Sequence, residues 1–366
     1  MRRENIYKDG YDFFFWEYEP QTKIKHFVFK EYFDTWVKIL GRWNELNYFD
    51  CYAGCGAYIE DKEIYFGSPV LATEIVEKNK ENLGRKVNVV LIEEDKDNIK
   101  NIGKIFKYKG LKTEPIVIEG TFDTAINKIL DEAKGNLNPT FFFIDPFGFK
   151  IKFQTLKRII STPKSEILLN FMFTQINRFL IEELDSTLND LFGCKDWQSL
   201  RSLRGIEREQ GIVNLYQTQL KKITKFAFPY RLSFADRDRT YYYLFHLTNH
   251  LKGCTIMKSA FAKFNYGKVE FAGPKHGCLG FFDQKDFKVN ETKKFFLEKY
   301  RGQRKNYEAI LIENIDALPL LESDIREALK NMEGKEINIT RHPELTPTGR
   351  KRKSIEYNDV ISFQGG

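Results

Sequence analysis

Three short strings in the 366-residue sequence place residues able to do chemistry where a strand should end. The most specific is Phe141-Phe142-Phe143-Ile144-Asp145-Pro146-Phe147-Gly148, an apolar run closing in Asp-Pro-aromatic. Proline cannot continue a central strand, so Asp145 is expected at the strand's mouth. There its carboxylate can accept a hydrogen bond from an exocyclic amine, the Pro146 carbonyl can accept a second, and Phe147 offers a face for a base to stack on. The second string, Asp50-Cys51-Tyr52-Ala53-Gly54-Cys55-Gly56, is a glycine turn after a short apolar run. Glycines there let the backbone approach a ligand beside free N–H groups at a helix start. The third is Glu93, closing the run Val87–Glu93, where a carboxylate can accept both hydroxyls of a ribose. Three such motifs at successive strand ends fit methyl transfer from S-adenosylmethionine to an amine nitrogen. That reaction asks for positioning and desolvation more than for a strong base, because the sulfonium is already activated. Hydride transfer fits less well. It wants a tight G-x-G-x-x-G turn, and the residue three beyond Gly56 is Ile59.

The elements that must hold these residues can be read from periodicity. Thr22 to Leu40 reads as an amphipathic helix with Phe27, Phe33, Val37 and Leu40 on its apolar side. Apolar runs at 87–95, 114–120, 139–149 and 165–173 read as buried parallel strands, with helices expected near 68–82, 95–109, 121–134 and 152–161. A helical insert is expected over about 174–225. Runs at 226–234 and 240–249 read as an antiparallel pair joined by the polar turn Ala235–Arg239. Strands alternating with helices imply a parallel sheet. The expected fold is α/β: a Rossmann-like class I methyltransferase sheet, mostly parallel, with an antiparallel hairpin at the end. That domain is expected over residues 1–285. Residues 286–366 form a small winged-helix-like α+β module: a helix at 320–332 capped by Ser323, then strands at 335–340 and 353–363. The loop between those strands ends in the basic cluster Arg350, Lys351, Arg352 and Lys353.

Composition bounds the setting. The five cysteines form no CxxC pair, which argues against a disulfide framework and a zinc site, and no metal site is expected. No run approaches the ~20 apolar residues of a membrane span, and a cytoplasmic setting is expected. The net charge of +7 permits a polyanionic partner. The excess is local: residues 201–270 hold 13 basic and 5 acidic side chains, a difference of +8. A basic insert and a basic wing would suit DNA or RNA.

Across most of its length the sequence resembles the three-Cys-motif partner proteins. The resemblance rests on Phe15-Trp16-Glu17 with Lys25-His26, the Asp50-to-Gly56 turn, Gly67-Ser68-Pro69, Ile92-Glu93 and Phe143 to Gly148. It extends through Leu169-Asn170-Phe171-Met172, Ile176-Asn177-Arg178-Phe179, and Thr248-Asn249-His250 with Lys252-Gly253. It implies a methyltransferase-like fold and a separate three-cysteine partner protein. The Asp-Pro-Phe-Gly string is also similar to that of tRNA guanine-N2-dimethyltransferases and related to the Asp-Pro-Pro-Tyr/Phe motif of nucleic-acid methyltransferases. Carried over, Asp145, Pro146 and Phe147 would hold the target base; Asp50, Ala53, Gly54, Gly56, Glu93 and Thr121 would line the cofactor. Phe147 replaces the second proline, and Thr121 stands where relatives often place an aspartate for the adenine amine. Lys25, His26, Asn177 and Arg178 are further candidates for substrate contact, with Arg350 to Lys353 as phosphate contacts. His246 is expected in the core.

Two other functions remain open on the sequence. One is a methyltransferase-like scaffold for the three-cysteine protein, without activity, in a phage-defence or mobile-element setting. The other is methylation of a small molecule or protein.

Overall fold

The computed structural model describes residues 3–8, 10–180, 184–233, 240–263, 269–273, 277–280, 285–315 and 320–365. The chain forms two compact units, Met1–Val269 and Glu270–Gly366.

The first unit begins with strands β1 (Arg3–Lys8) and β2 (Tyr11–Glu17) and helix α1 (Pro20–Leu40). Then come β3 (Leu46–Asp50), a hairpin of β4 (Ala57–Glu60) and β5 (Glu63–Phe66), and α2 (Ser68–Asn79). The alternating series continues as β6 (Val87–Glu93), α3 (Lys96–Lys109), β7 (Ile116–Glu119), α4 (Phe122–Ala133), β8 (Thr140–Ile144), α5 (Phe153–Ser161) and β9 (Ser165–Phe171). The insert contains α6 (Phe173–Phe179), α7 (Asp185–Phe192) and α8 (Gly205–Lys221); β10 (Phe226–Ser233), β11 (Thr240–Thr248) and α9 (Leu251–Ala262) follow.

The main sheet runs β7-β6-β3-β8-β9-β11-β10. Its first five strands are parallel, and β11 is antiparallel to both neighbours. This is the expected Rossmann-like methyltransferase sheet, with the order reversing at β3. The expected turn Ala235–Arg239 lies outside the described residues.

Burial explains the strand readings. Every residue of β8 and β9 is buried, because helices or neighbouring elements cover both faces. At the sheet edge, β7 leaves Ile116 and Val117 partly exposed, so its apolar run does not mark a buried strand. The buried stripe of α1 is Ile24, Val28, Phe29, Tyr32, Phe33, Trp36 and Val37, whereas Phe27 and Leu40 are only half-buried. Its rings pack on the sheet, Phe29 with Phe143 at 5.0 Å and Phe33 with Tyr48 at 4.8 Å between centroids. Sequence periodicity did not reveal the small second sheet β1-β2-β4-β5, in which β2 and β4 pair Trp16 with Tyr58.

In the second unit, β12 (Val269–Gly273), at the unit boundary, pairs antiparallel with β13 (Gly277–Gly280). There follow α10 (Lys285–Tyr300), β14 (Arg304–Asn306), α11 (Tyr307–Asn314), α12 (Glu322–Met332), β15 (Ile337–Thr340) and β16 (Val360–Phe363). The strands form a three-stranded antiparallel sheet in the order β14-β16-β15, with α12 leading into β15. Two details differ from the sequence reading. Leu321, not Ser323, is the N-cap of α12, its backbone N–H donating to the Asp324 carboxylate at 3.0 Å. The last strand starts at Val360, not 353, leaving a long loop after Thr340.

Candidate active site

The carboxyl ends of β3, β6, β7 and β8 open on one cleft of about 710 Å³. Cys51 and Tyr52 line it from the turn after β3, Ile92, Glu93 and Glu94 from β6, and Gly120 to Thr124 from the β7–α4 junction. Pro146 to Lys150, Lys152, Gln175, Phe179 and Leu184 also line it. A strand-order reversal is where open α/β sheets leave such a crevice.

The glycine turn shapes this cleft from behind. Gly54 and Gly56 both have positive φ, +63° and +84°. A Cβ at Gly54 would meet the Trp16 ring at 2.9 Å, so the second sheet closes directly over the turn. Gly54 N–H donates to Glu93 Oε2 at 2.7 Å. Glu93 Oε1 accepts from Asp95 N–H at 2.9 Å and from Asn98 at 3.1 Å. The carboxylate is thus fixed at the β6 end. Each of its oxygens has two lone pairs, so Oε2 keeps one acceptor position.

Of the six residues expected around a cofactor, Glu93 and Thr121 line the cleft; Asp50, Ala53, Gly54 and Gly56 are not among its lining residues. Asp50 is fully buried and accepts from the Tyr48 hydroxyl at 3.0 Å. Burial raises its pKa to about 7, the Ser68 and Tyr48 hydroxyls opposing the shift and the Asp145 charge adding to it. Thr121 caps α4, its hydroxyl accepting from Thr124 N–H at 3.5 Å. Two positions on, Asp123 presents a carboxylate on the same cleft wall, its Oδ1 accepting from the Thr155 hydroxyl.

At the β8 end, Phe147 is 58% exposed and meets the Trp16 ring edge-on, with centroids 4.8 Å apart. Asp145 is held on both oxygens. Asn170 of β9 donates to Oδ1 at 2.7 Å, and Lys25 of α1 donates to Oδ2 in an ion pair. Lys25 is nearly buried, with its ammonium 5.9 Å from the centre of the Tyr242 ring. It therefore meets the Asp-Pro motif directly.

His26 does not join it. The imidazole is buried, stacks on Tyr18 and shares a 3.1 Å hydrogen bond with the Tyr18 hydroxyl. Burial, then the charges of Lys25 and Lys30, hold its pKa well below the usual value, so it is a neutral core group. Asn177 and Arg178 do not line the cleft, although Gln175 and Phe179 of the same helix do. Arg178 is exposed and lies 5.3 Å over Phe179.

The basic residues also divide. Arg350, Lys351 and Lys353 are exposed, but Arg352 is buried and paired with Asp359, donating to Oδ2 at 2.9 Å. It braces the loop and is not a free cation. In the insert, Arg201 pairs with Asp185 at 2.6 Å and Arg208 donates to the Leu203 carbonyl at 2.6 Å; in β10, buried Arg231 lies 3.4 Å from Glu209. These three cations of the basic stretch are therefore held internally. Among the described residues, the cations lining the cleft are Lys150 and Lys152. Their one sequence signal is that they follow the Asp-Pro-Phe-Gly string directly. His246 is fully buried, as expected. Among the described residues, no helix is long and apolar enough to cross a membrane.

No protein-family model matches the chain, and no curated protein matches it. Solved structures do. A DUF519 protein from Legionella pneumophila is 12% identical, matching 68% of this chain and 94% of its own with a TM-score of 0.43. Trm1 from Pyrococcus horikoshii, in complex with S-adenosyl-L-methionine, is 14% identical over 96% of this chain and 97% of its own, with a TM-score of 0.38. A SAM-dependent methyltransferase from Agrobacterium tumefaciens is 12% identical over 68% and 70%, with a TM-score of 0.35. These are distant likenesses of fold, and the strand order of the sheet itself carries the fold assignment.

Proposed function

We propose that the chain is an S-adenosylmethionine-dependent methyltransferase acting on an exocyclic nitrogen of a nucleobase in DNA or RNA. The observation that carries this reading is the placement of Pro146 and Phe147 in the same cleft as Glu93 and Asp123, with Asp145 braced behind them. Glu93 would hold the cofactor ribose and Asp123 the adenine amine. The cofactor supplies the activated methyl group. The chain's part is to bring a base to Phe147 and turn its amine toward that methyl. Asp145 Oδ1 and Oδ2 each accept one hydrogen bond and retain a second lone pair for the amine. A base within a duplex or stacked strand must be flipped out to reach this point. Lys150 and Lys152, with the exposed Arg350, Lys351 and Lys353, suit flanking phosphates.

The test is transfer of labelled methyl to cellular DNA and to cellular RNA, offered separately, alongside calorimetric titration of the cofactor. Asp145→Ala should abolish transfer and leave cofactor binding largely intact. Glu93→Ala should weaken cofactor binding by about 1.5–3 kcal/mol, the worth of one charge-assisted hydrogen bond to the acceptor position that Oε2 keeps. An Asp145→Ala protein as active as wild type would sink the mechanism.

The Lys25–Asp145 pair favours a second reading. It ties the Asp145 carboxylate to a nearly buried ammonium, as a methyltransferase-like scaffold without activity would tolerate. Such a scaffold would serve a three-Cys-motif protein, in phage defence or a mobile element. A wild type inert on every nucleic acid, yet captured by that partner, supports this alternative.

A further inference from the structure

A second cavity, of about 240 Å³, opens at the opposite end of the sheet from the cleft, where the parallel strands begin. Pro139 and Lys164, just ahead of β8 and β9, line it with Tyr32, Trp36 and Leu40 of α1. His250, Lys252, Gly253 and Ile256 close it from the start of α9. These include His250 and Lys252-Gly253 of the string that the sequence set apart and that the methyl-transfer site does not use.

Its polar groups are incompletely matched. Glu166 is a buried carboxylate in the cavity wall. Its Oε2 accepts from the Tyr32 hydroxyl and lies 3.3 Å from His246 Nε2. Its Oε1 accepts no hydrogen bond among the described residues. Trp36, also in the wall, has an indole N–H that is buried without an acceptor among the described residues. Leaving a buried donor unpaired is costly, and a ligand acceptor would recover that cost. At the rim, Lys164 and Lys252 are exposed, and neither has an acidic partner among the described residues. Lys164 holds a left-handed backbone, φ +61°, a conformation that costs a non-glycine residue energy and recurs at ligand sites.

We propose that this cavity binds an aminopurine nucleotide, with its base against Trp36 and its phosphate between Lys164 and Lys252. An aminopurine carries N–H donors next to a ring or carbonyl acceptor on one flat edge, as Glu166 Oε1 and the Trp36 N–H together require. The apolar walls, Leu40, Pro139 and Ile256, suit the ring faces, and the two lysines call for an anion. The volume is below the roughly 300–1,000 Å³ of pockets for larger ligands, which limits the occupant to one base. This site is separate from the proposed methyl-transfer cleft and does not depend on that activity.

Gly253 gives the means to close it. A Cβ there would sit 2.9 Å from Glu166 Oε2 and 3.2 Å from Oε1. The experiment is calorimetric titration of the full chain with AMP and with GMP, using adenosine, guanosine and UMP as comparison ligands. Tryptophan fluorescence is followed in parallel. At least one purine nucleotide should bind in preference to UMP. The double variant Lys164→Glu, Lys252→Glu should weaken it tenfold or more while leaving the parent nucleoside within about threefold. Gly253→Ala should abolish binding of both, and Trp36→Phe should remove the fluorescence change. Glu93→Ala and Phe147→Ala, in the other cleft, should leave affinity unchanged. The proposal is overturned if neither AMP nor GMP binds at millimolar concentration, if the lysine reversal has no effect, or if the cleft variants abolish binding.

Discussion

Replacing Lys25 by methionine tests how Asp145 is held. Methionine keeps most of the buried stem and removes the ammonium. The side chains of Lys25 and Asp145 are 8% and 15% exposed, so the pair is largely withdrawn from water. Removing one partner of a buried pair costs about 3–5 kcal/mol, because the other charge is left uncompensated. Asp145 keeps its 2.7 Å hydrogen bond from Asn170 and some contact with solvent, which places the expected loss at the lower end, about 3 kcal/mol. Lys25→Met combined with Asp145→Asn removes both charges, and the double variant should be at least 1 kcal/mol more stable than Lys25→Met alone. Urea unfolding followed by tryptophan fluorescence suits the question, since all four tryptophans (Trp16, Trp36, Trp43 and Trp197) lie in the first unit. A Lys25→Met loss below about 0.5 kcal/mol, or a double variant no more stable than the single, would show that the pair is solvated and that Asp145 is free.

Other outcomes follow from the same geometry. Phe147→Ala should weaken productive capture of a base by about 1–3 kcal/mol with cofactor affinity unchanged, read as the nucleic-acid concentration giving half-maximal transfer. Asp50, with its pKa raised to about 7, keeps its proton in the folded chain above the pH at which the unfolded chain loses it. Its contribution is therefore full below about pH 4 and is lost as pH rises to 7; Asp50→Asn should flatten that part of the stability–pH curve, and an unchanged slope would refute the assignment. Reversing Arg350, Lys351 and Lys353 to glutamate should lower the slope of log K against log salt for nucleic acid by as much as about 3, while an unchanged slope would remove the loop from the interface.

The parts of this fold legible in the sequence are those set by local rules. The β8 end could be read because a fully apolar run meets a proline, and the β6 end because another closes in acids. What stayed hidden depends on distant partners. His26 reads as a polar residue on a helix, yet it is buried because Tyr18 and Tyr58, brought together by the β2–β4 pairing, cover it. Arg352 looks the same as its neighbours in a basic run; Asp359, seven residues on, takes it out of solvent. Lys25 could be named as a candidate, but its ion pair with Asp145 spans 120 residues and has no trace in spacing. Asp123 reads as one acid among several at a helix start; it reaches the cleft because it is the second residue of α4, whose N-terminus lies at the β7 end.

The central position of β3 has a consequence for synthesis. Both of its neighbours, β6 and β8, come later in the chain, and β8 begins 90 residues after β3 ends. At about 5–20 residues per second, a ribosome leaves that edge unpaired for roughly 5–20 s. The preceding helix is already available, and Phe29 and Phe33 lie against Tyr48 at 5.4 and 4.8 Å. A nascent α1–β3 pair can thus shield one face of the strand before its partners emerge. Substitutions that thin this aromatic contact should therefore lower the yield of folded chain during translation more than they lower the stability of the finished protein.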